Sequence, residues 1–132
     1  MKGYNMAKVY NKNLVGLVLG VMHECVNTDS YILLPREKNL DFISEYSLTK
    51  QVQQSILLGL LVEDYCESEQ SEKVAAGYIH VFAPEAEVTN SHGVKKTVAL
   101  YIKFEIIEKE SGKRVAVISF HEPEFQITCP FR

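Results

Sequence analysis

Between Leu48 and Tyr65 the chain places its apolar residues at helical spacing, and no other segment restricts the fold as tightly. Leu48, Val52, Ile56 and Leu60 fall near one stripe, with Glu63 at its end, while Leu57, Leu58, Leu61, Val62 and Tyr65 widen the apolar surface over the second half. Thr49, Lys50, Gln51, Gln53 and Gln54 leave the first half a face for water. The half from Ile56 to Val62 is apolar nearly all round and must be enclosed. Ser47 stands where its hydroxyl can cap the first free amides. The spacing therefore predicts a helix over 48–65, a rod of about 27 Å that needs a second layer to bury it.

The last 60 residues supply strands for that layer. Thr97 to Glu108 alternates cleanly: Val98, Leu100, Ile102, Phe104 and Ile106 share one face, opposite Ala99, Tyr101, Lys103, Glu105 and Ile107. Glu110-Ser111-Gly112-Lys113 reads as a hairpin connection, and Arg114 to Phe120 returns as a strand. Val74 to Ala83 alternates less regularly, with Val74, Ala76, Tyr78, His80 and Phe82 on one side. Pro123 interrupts the run, and Phe125 to Thr128 reads as a further edge segment. Earlier in the chain, Asn27 to Ser30 is a turn cluster, Tyr31 to Leu34 a short strand ended by Pro35, and residues 35–39 a polar loop.

The apolar run Leu14 to Met22 is too uniform for periodicity to choose between a buried strand and a buried helix. Its valines tilt the expectation towards a strand, while Gly16 and Gly20 weaken either element. Nine residues are too few to span a bilayer as a helix, which takes about 20. Lys2, Lys8 and Lys12 precede the run in the manner of a weak secretory signal, but Met22-His23-Glu24-Cys25 offers no small-x-small cleavage site, so a core element is expected.

The sum is an α+β fold, an antiparallel sheet of about five strands packed on one long buried helix. Its element order is similar to that of hot-dog folds, in which a sheet wraps one apolar helix and two subunits pair. The resemblance rests on element order alone, with no motif behind it.

At 132 residues, with no internal repeat and no linker rich in Pro, Gly or Ser, the chain is expected to form one domain over 1–132. A net charge of -3, with adjacent basic pairs only at Lys95-Lys96 and Lys113-Arg114, argues against nucleic-acid binding. Three cysteines, Cys25, Cys66 and Cys129, form no disulfide framework and no metal-ligand spacing, which suits free thiols in a reducing, cytoplasmic compartment, with Cys129 the most exposed.

Motifs that carry chemistry are missing. There is no G-x-S-x-G, and the seven glycines are scattered, so neither a phosphate loop nor a dinucleotide fingerprint can be assembled. His23-Glu24-Cys25 matches no zinc spacing and reads as a hydrogen-bonded histidine beside a solvent-facing glutamate; no metal or cofactor is expected. His92 belongs to a turn, and His121 stands among carboxylates at Glu122 and Glu124. His80 shares a strand face with Tyr78 and Phe82, as a satisfied core group, a surface residue or a general base in a pocket.

The charge feature that stands out is Glu63, Asp64, Glu67, Glu69 and Glu72, an acidic stretch with no basic residue. It reads as a solvated helix end or as a patch that steers a basic partner. Carboxylates at a helix C-terminus oppose the helix dipole, which favours the second reading. The leading expectation is a non-catalytic interaction domain, an adaptor, chaperone or inhibitor-like protein, that offers this patch and a sheet surface to another protein, with pairing to a second copy also foreseen. The alternative is a hot-dog-type enzyme or binding protein for acyl thioesters, with Asp41, Glu45 and His80 as its acid-base groups.

Overall fold

The computed structural model describes residues 7–71 and 77–132. The fold is α+β: a five-stranded sheet in the order β1-β7-β6-β3-β2, three helices and a separate two-stranded hairpin. The helices are α1 (Lys12–Asn27), α2 (Glu37–Glu45) and α3 (Lys50–Leu58). The sheet strands are β1 (Tyr31–Leu33), β2 (Tyr65–Gln70), β3 (Tyr78–Phe82), β6 (Tyr101–Lys109) and β7 (Gly112–His121). The hairpin joins β4 (Glu85–Thr89) to β5 (Lys95–Ala99). All sheet pairings are antiparallel except β1 with β7.

The long helix is α1, where the valines favoured a strand. Val15, Leu19, Met22 and Val26 are buried and recur at intervals of four, three and four, the period of a helical stripe. Leu17 lies largely in solvent on the opposite side, so the run is uniformly apolar without being uniformly buried. Asn11 caps the first turn, its Oδ1 accepting from the Leu14 amide at 2.9 Å.

The predicted rod over 48–65 breaks in two. Thr49, rather than Ser47, caps α3 by accepting from the Val52 amide, and the helix stops at Gly59. Leu60 then plugs the core while Leu61 turns to water, and a single tight turn at Val62–Asp64 leads into β2. Apolar character all round thus marks a chain changing direction, with successive side chains sent to different surroundings. Of residues 35–39, expected as a loop, 37–39 instead open α2.

The predicted strand Thr97–Glu108 is also two elements. β3–β4 and β5–β6 form one long hairpin that bends at Pro84 and Leu100, where the Leu100 amide donates to the Pro84 carbonyl at 2.9 Å. The predicted face survives the bend: Val98, Leu100, Ile102 and Phe104 are all buried in the same core. Of the strand predicted over 74–83, Tyr78–Phe82 is observed, and residues 74–76 lie outside those described. The tail at 125–128 forms no strand.

The core lies between one face of the sheet and the helices, joining Ile102, Phe104, Val115, Val117 and Phe120 to Met22, Phe42 and Leu57. Phe104 stacks on Phe82 at 5.6 Å, and Phe42 meets Phe120 edge-on at 6.1 Å. Asn39 of α2 is wholly buried and repairs the sheet where β7 bulges at Ile118. Its amide nitrogen donates to the Leu34 and Ile118 carbonyls, and its oxygen accepts from the Phe120 amide at 2.8 Å.

Candidate functional site

The helices cover the sheet on one face only. Because side chains alternate along a strand, β6 sends Lys103, Glu105 and Ile107 to the opposite face, and its neighbours add Ile79 from β3 and Ala116 and Ile118 from β7. One end of this second face is closed by the C-terminal tail, whose Ile127 and Cys129 pack with Cys66, Val81, Ala83 and Tyr101. Arg132 anchors the tail by donating to the Asp64 carboxylate at 3.1 Å and the Ala83 carbonyl at 2.9 Å. The rest remains open as a cavity of about 640 Å³, with Leu34 and Arg36 on its rim. That volume falls within the range of small-molecule pockets.

At the floor of this cavity lies Glu105. Its side chain is a sheet neighbour of Ile79 on one side and Ala116 on the other, so both flanks are apolar. The residue is only 7% exposed, and its enclosed Oε2 has no hydrogen-bond partner among the described residues. A buried polar atom ordinarily finds a partner, because leaving water without one costs free energy. The cations nearby are spoken for: Lys103 Nζ lies 3.5 Å from Glu69, and Arg36 donates to the Ile118 carbonyl at 3.2 Å. Nothing in the sequence around Glu105 signals this, since on a strand it reads as an ordinary outward position.

The acidic stretch is an edge strand and the turn before it, where a helix end was expected. Glu63 is exposed. Asp64 is engaged, accepting from the Leu61 amide through one oxygen and from Arg132 through the other. Glu67 and Glu69 point from β2 onto the second face, which brings them to the same side of the sheet as Glu105. Glu72 lies outside the described residues. The helix-dipole argument for this stretch falls away, because α3 ends at Leu58.

Asp41, Glu45 and His80 do not converge. Asp41 is exposed on α2 and lines a cavity with Arg36, Lys38 and His121; Glu45 is exposed at the end of the same helix. His80 is buried on the helix-covered face beside a different cavity, lined by Tyr10, Val18 and Ile106. Its Nδ1 meets Ser68 Oγ at 2.7 Å, Ser68 Oγ meets the Tyr65 hydroxyl at 2.8 Å, and that hydroxyl contacts the Lys8 carbonyl and the Tyr10 amide. When Tyr65 gives its one proton to Lys8, Ser68 donates to Tyr65 and the imidazole donates to Ser68, a chain of bonds that closes with a neutral ring. Burial pushes the His80 pKa down to about 4, in keeping with that state. The chain ties the N-terminal arm to β2, an edge strand that Lys8 also bridges through paired backbone bonds with Ser68.

His23, expected to be hydrogen-bonded, has a buried Nε2 without a partner. Cys66 and Cys129 are free thiols with their sulfurs 3.6 Å apart, Cys66 buried and Cys129 half-buried. Burial, reinforced by the neighbouring Cys129, pushes the Cys66 thiol pKa up. Among the described residues no cluster of three or more His, Cys, Asp or Glu side chains could hold a metal ion, and no helix is long and apolar enough to cross a membrane. No protein-family model, curated protein or solved structure matches the chain.

Proposed function

We propose that the chain is a non-catalytic interaction domain that binds a basic protein through the uncovered face of its five-stranded sheet. The observation that carries this reading is the second-face cavity itself, a concave surface walled by Leu34, Ile79, Ile107 and Ile118 with a buried, unpartnered carboxyl at its floor. A concave, mostly apolar lining with a few polar groups placed in it is the usual form of a binding site. Glu69 and Glu105 share the cavity with Lys103 and Arg36, but Lys103 is turned to Glu69 and Arg36 to the Ile118 carbonyl, which leaves Glu105 as the acid without an answering group among the described residues. A partner that brings apolar side chains around a lysine or arginine answers both features.

The acid-base alternative has less support, because Asp41 and His80 line separate cavities and Glu45 faces water. Selection of a random peptide library on the immobilised chain tests the interaction reading, with Ile107→Asp as the blocked control and circular dichroism to show that the control folds. Enrichment of peptides combining Lys or Arg with apolar residues, lost on the control, is expected. Absence of enrichment, or equal enrichment on both proteins, removes the reading.

A further inference from the structure

We infer that the cavity over Glu105 is a seat for one alkylammonium or guanidinium group, and that the basic partner supplies it as a lysine or arginine side chain. The second half rests on the interaction reading above; the cation seat does not.

The chemistry follows from what surrounds the carboxylate. Across the sheet it has Ile79 and Ala116, and along its own strand Ile107 on one side and Lys103 on the other. Lys103 is turned to Glu69, with both side chains about a quarter exposed, so those two charges largely answer each other. Glu105 is left as the carboxyl lining this cavity with an oxygen that no described group satisfies; because that oxygen is itself enclosed, a cation reaches it as the side chain turns it into the cavity. A buried carboxylate is stabilised by a cation that reaches it with hydrogen bonds, and is costly without one. A bare metal ion is a poor fit, because hard divalent cations take six or more oxygen ligands and the described residues form no cluster of three metal-binding groups. An organic cation on a methylene stem fits both parts of the site: the head meets the carboxylate, and the stem lies along Ile79, Ile107 and Ile118 as lysine and arginine stems do on apolar surfaces. A cavity of about 640 Å³ leaves room for such a side chain and for apolar neighbours on either side of it.

Titration of the isotope-labelled full chain with n-butylammonium and n-butylguanidinium, followed through backbone amide shifts, tests the seat directly. Saturable shifts confined to residues around Ile79, Glu105 and Ala116 are expected, with n-butanol producing none at the same concentrations. Glu105→Gln should weaken binding at least about tenfold. Shifts that n-butanol reproduces, that never saturate, or that persist in Glu105→Gln would overturn the seat; the n-butanol arm gives this answer even if the variant does not fold. The two readings separate cleanly. Saturable butylammonium binding without any peptide enrichment sinks the protein-binding function and leaves the seat, whereas peptides that bind wild type and Glu105→Gln equally leave the function and sink the inference that the partner's side chain fills the seat.

Discussion

The two faces of the five-stranded sheet come from alternate residues of the same strands and meet opposite surroundings. On the helix side, Ile102, Phe104, Val115, Val117 and Phe120 are wholly buried against α1, α2 and α3, and the polar groups that intrude are bonded into chains, as at His80 and Asn39. On the other side, Lys103, Ile107 and Ile118 stay half-buried, and Glu105 is sunk among apolar neighbours without a partner for Oε2. Alternation alone does not distinguish a core face from a binding face, since both carry isoleucines. The polar groups at the sheet do: His80 and Asn39 are bonded on the covered side and Glu105 lacks a partner for Oε2 on the open one, although His23 Nε2 on α1 is unpartnered as well.

Five substitutions break or sharpen this contrast. Phe104→Ala should have the largest effect, a loss of about 3–5 kcal/mol from the emptied space beside Phe82 and His80, measured by urea denaturation. Ile107→Ala, three residues away on the opposite face, should cost clearly less, and equal losses would mean that the two faces are not different in kind. Next is His80. Its folded pKa is depressed below the ordinary 6.5, so the unfolded chain takes up the proton first as the solution is acidified. The stability due to neutral His80 is therefore complete above about pH 6.5 and is lost as pH falls towards 4, a change of about 3 kcal/mol. His80→Gln, which keeps a partner for Ser68, should flatten that part of the stability-pH curve; an unchanged slope would remove His80 as its source.

Asn39→Ala should cost about 1–3 kcal/mol, because it strands the Phe120 amide at the bulge and leaves the Ile118 carbonyl with Arg36 as its donor. A neutral result in thermal and chemical unfolding would show that water repairs the bulge. The smallest effect has the opposite sign. Glu105→Met should raise stability by about 1 kcal/mol, since it replaces an unsatisfied buried carboxyl by an apolar side chain of similar reach. A clear destabilisation there would mean that Glu105 serves the fold and not the open face.

Much of the five-stranded sheet was legible in sequence. The β6–β7 hairpin, the short β1 and the buried face from Val98 to Phe104 all follow from period-two alternation and turn residues, because a half-buried strand writes its two environments directly into the chain. The helices were harder. In α1 the exposed positions are themselves apolar, Leu17 above all, so the stripe through Val15, Leu19, Met22 and Val26 stood out from nothing. In the predicted rod over 48–65, local propensity pointed one way and sheet pairing the other: Tyr65, Glu67, Ser68 and Glu69 form a strand because β3 offers a ladder, in a sequence poor in strand formers. The site was the least legible. Glu67 and Glu69 were singled out for their charge, but Glu105 acquires its character only from Ile79 and Ala116, which reach it from other strands.

The parallel pairing of β1 with β7 joins Tyr31 to Val115, about eighty residues along the chain, whereas β6 and β7 are joined by a tight hairpin. Closing so long a loop is entropically unfavourable until the rest of the sheet exists to reward it, so β1 and the helices on either side of it dock late in folding. Until they arrive, the outer rim of β7 is an unpaired strand edge, and a nascent or heat-stressed chain is most prone to aggregate along that line.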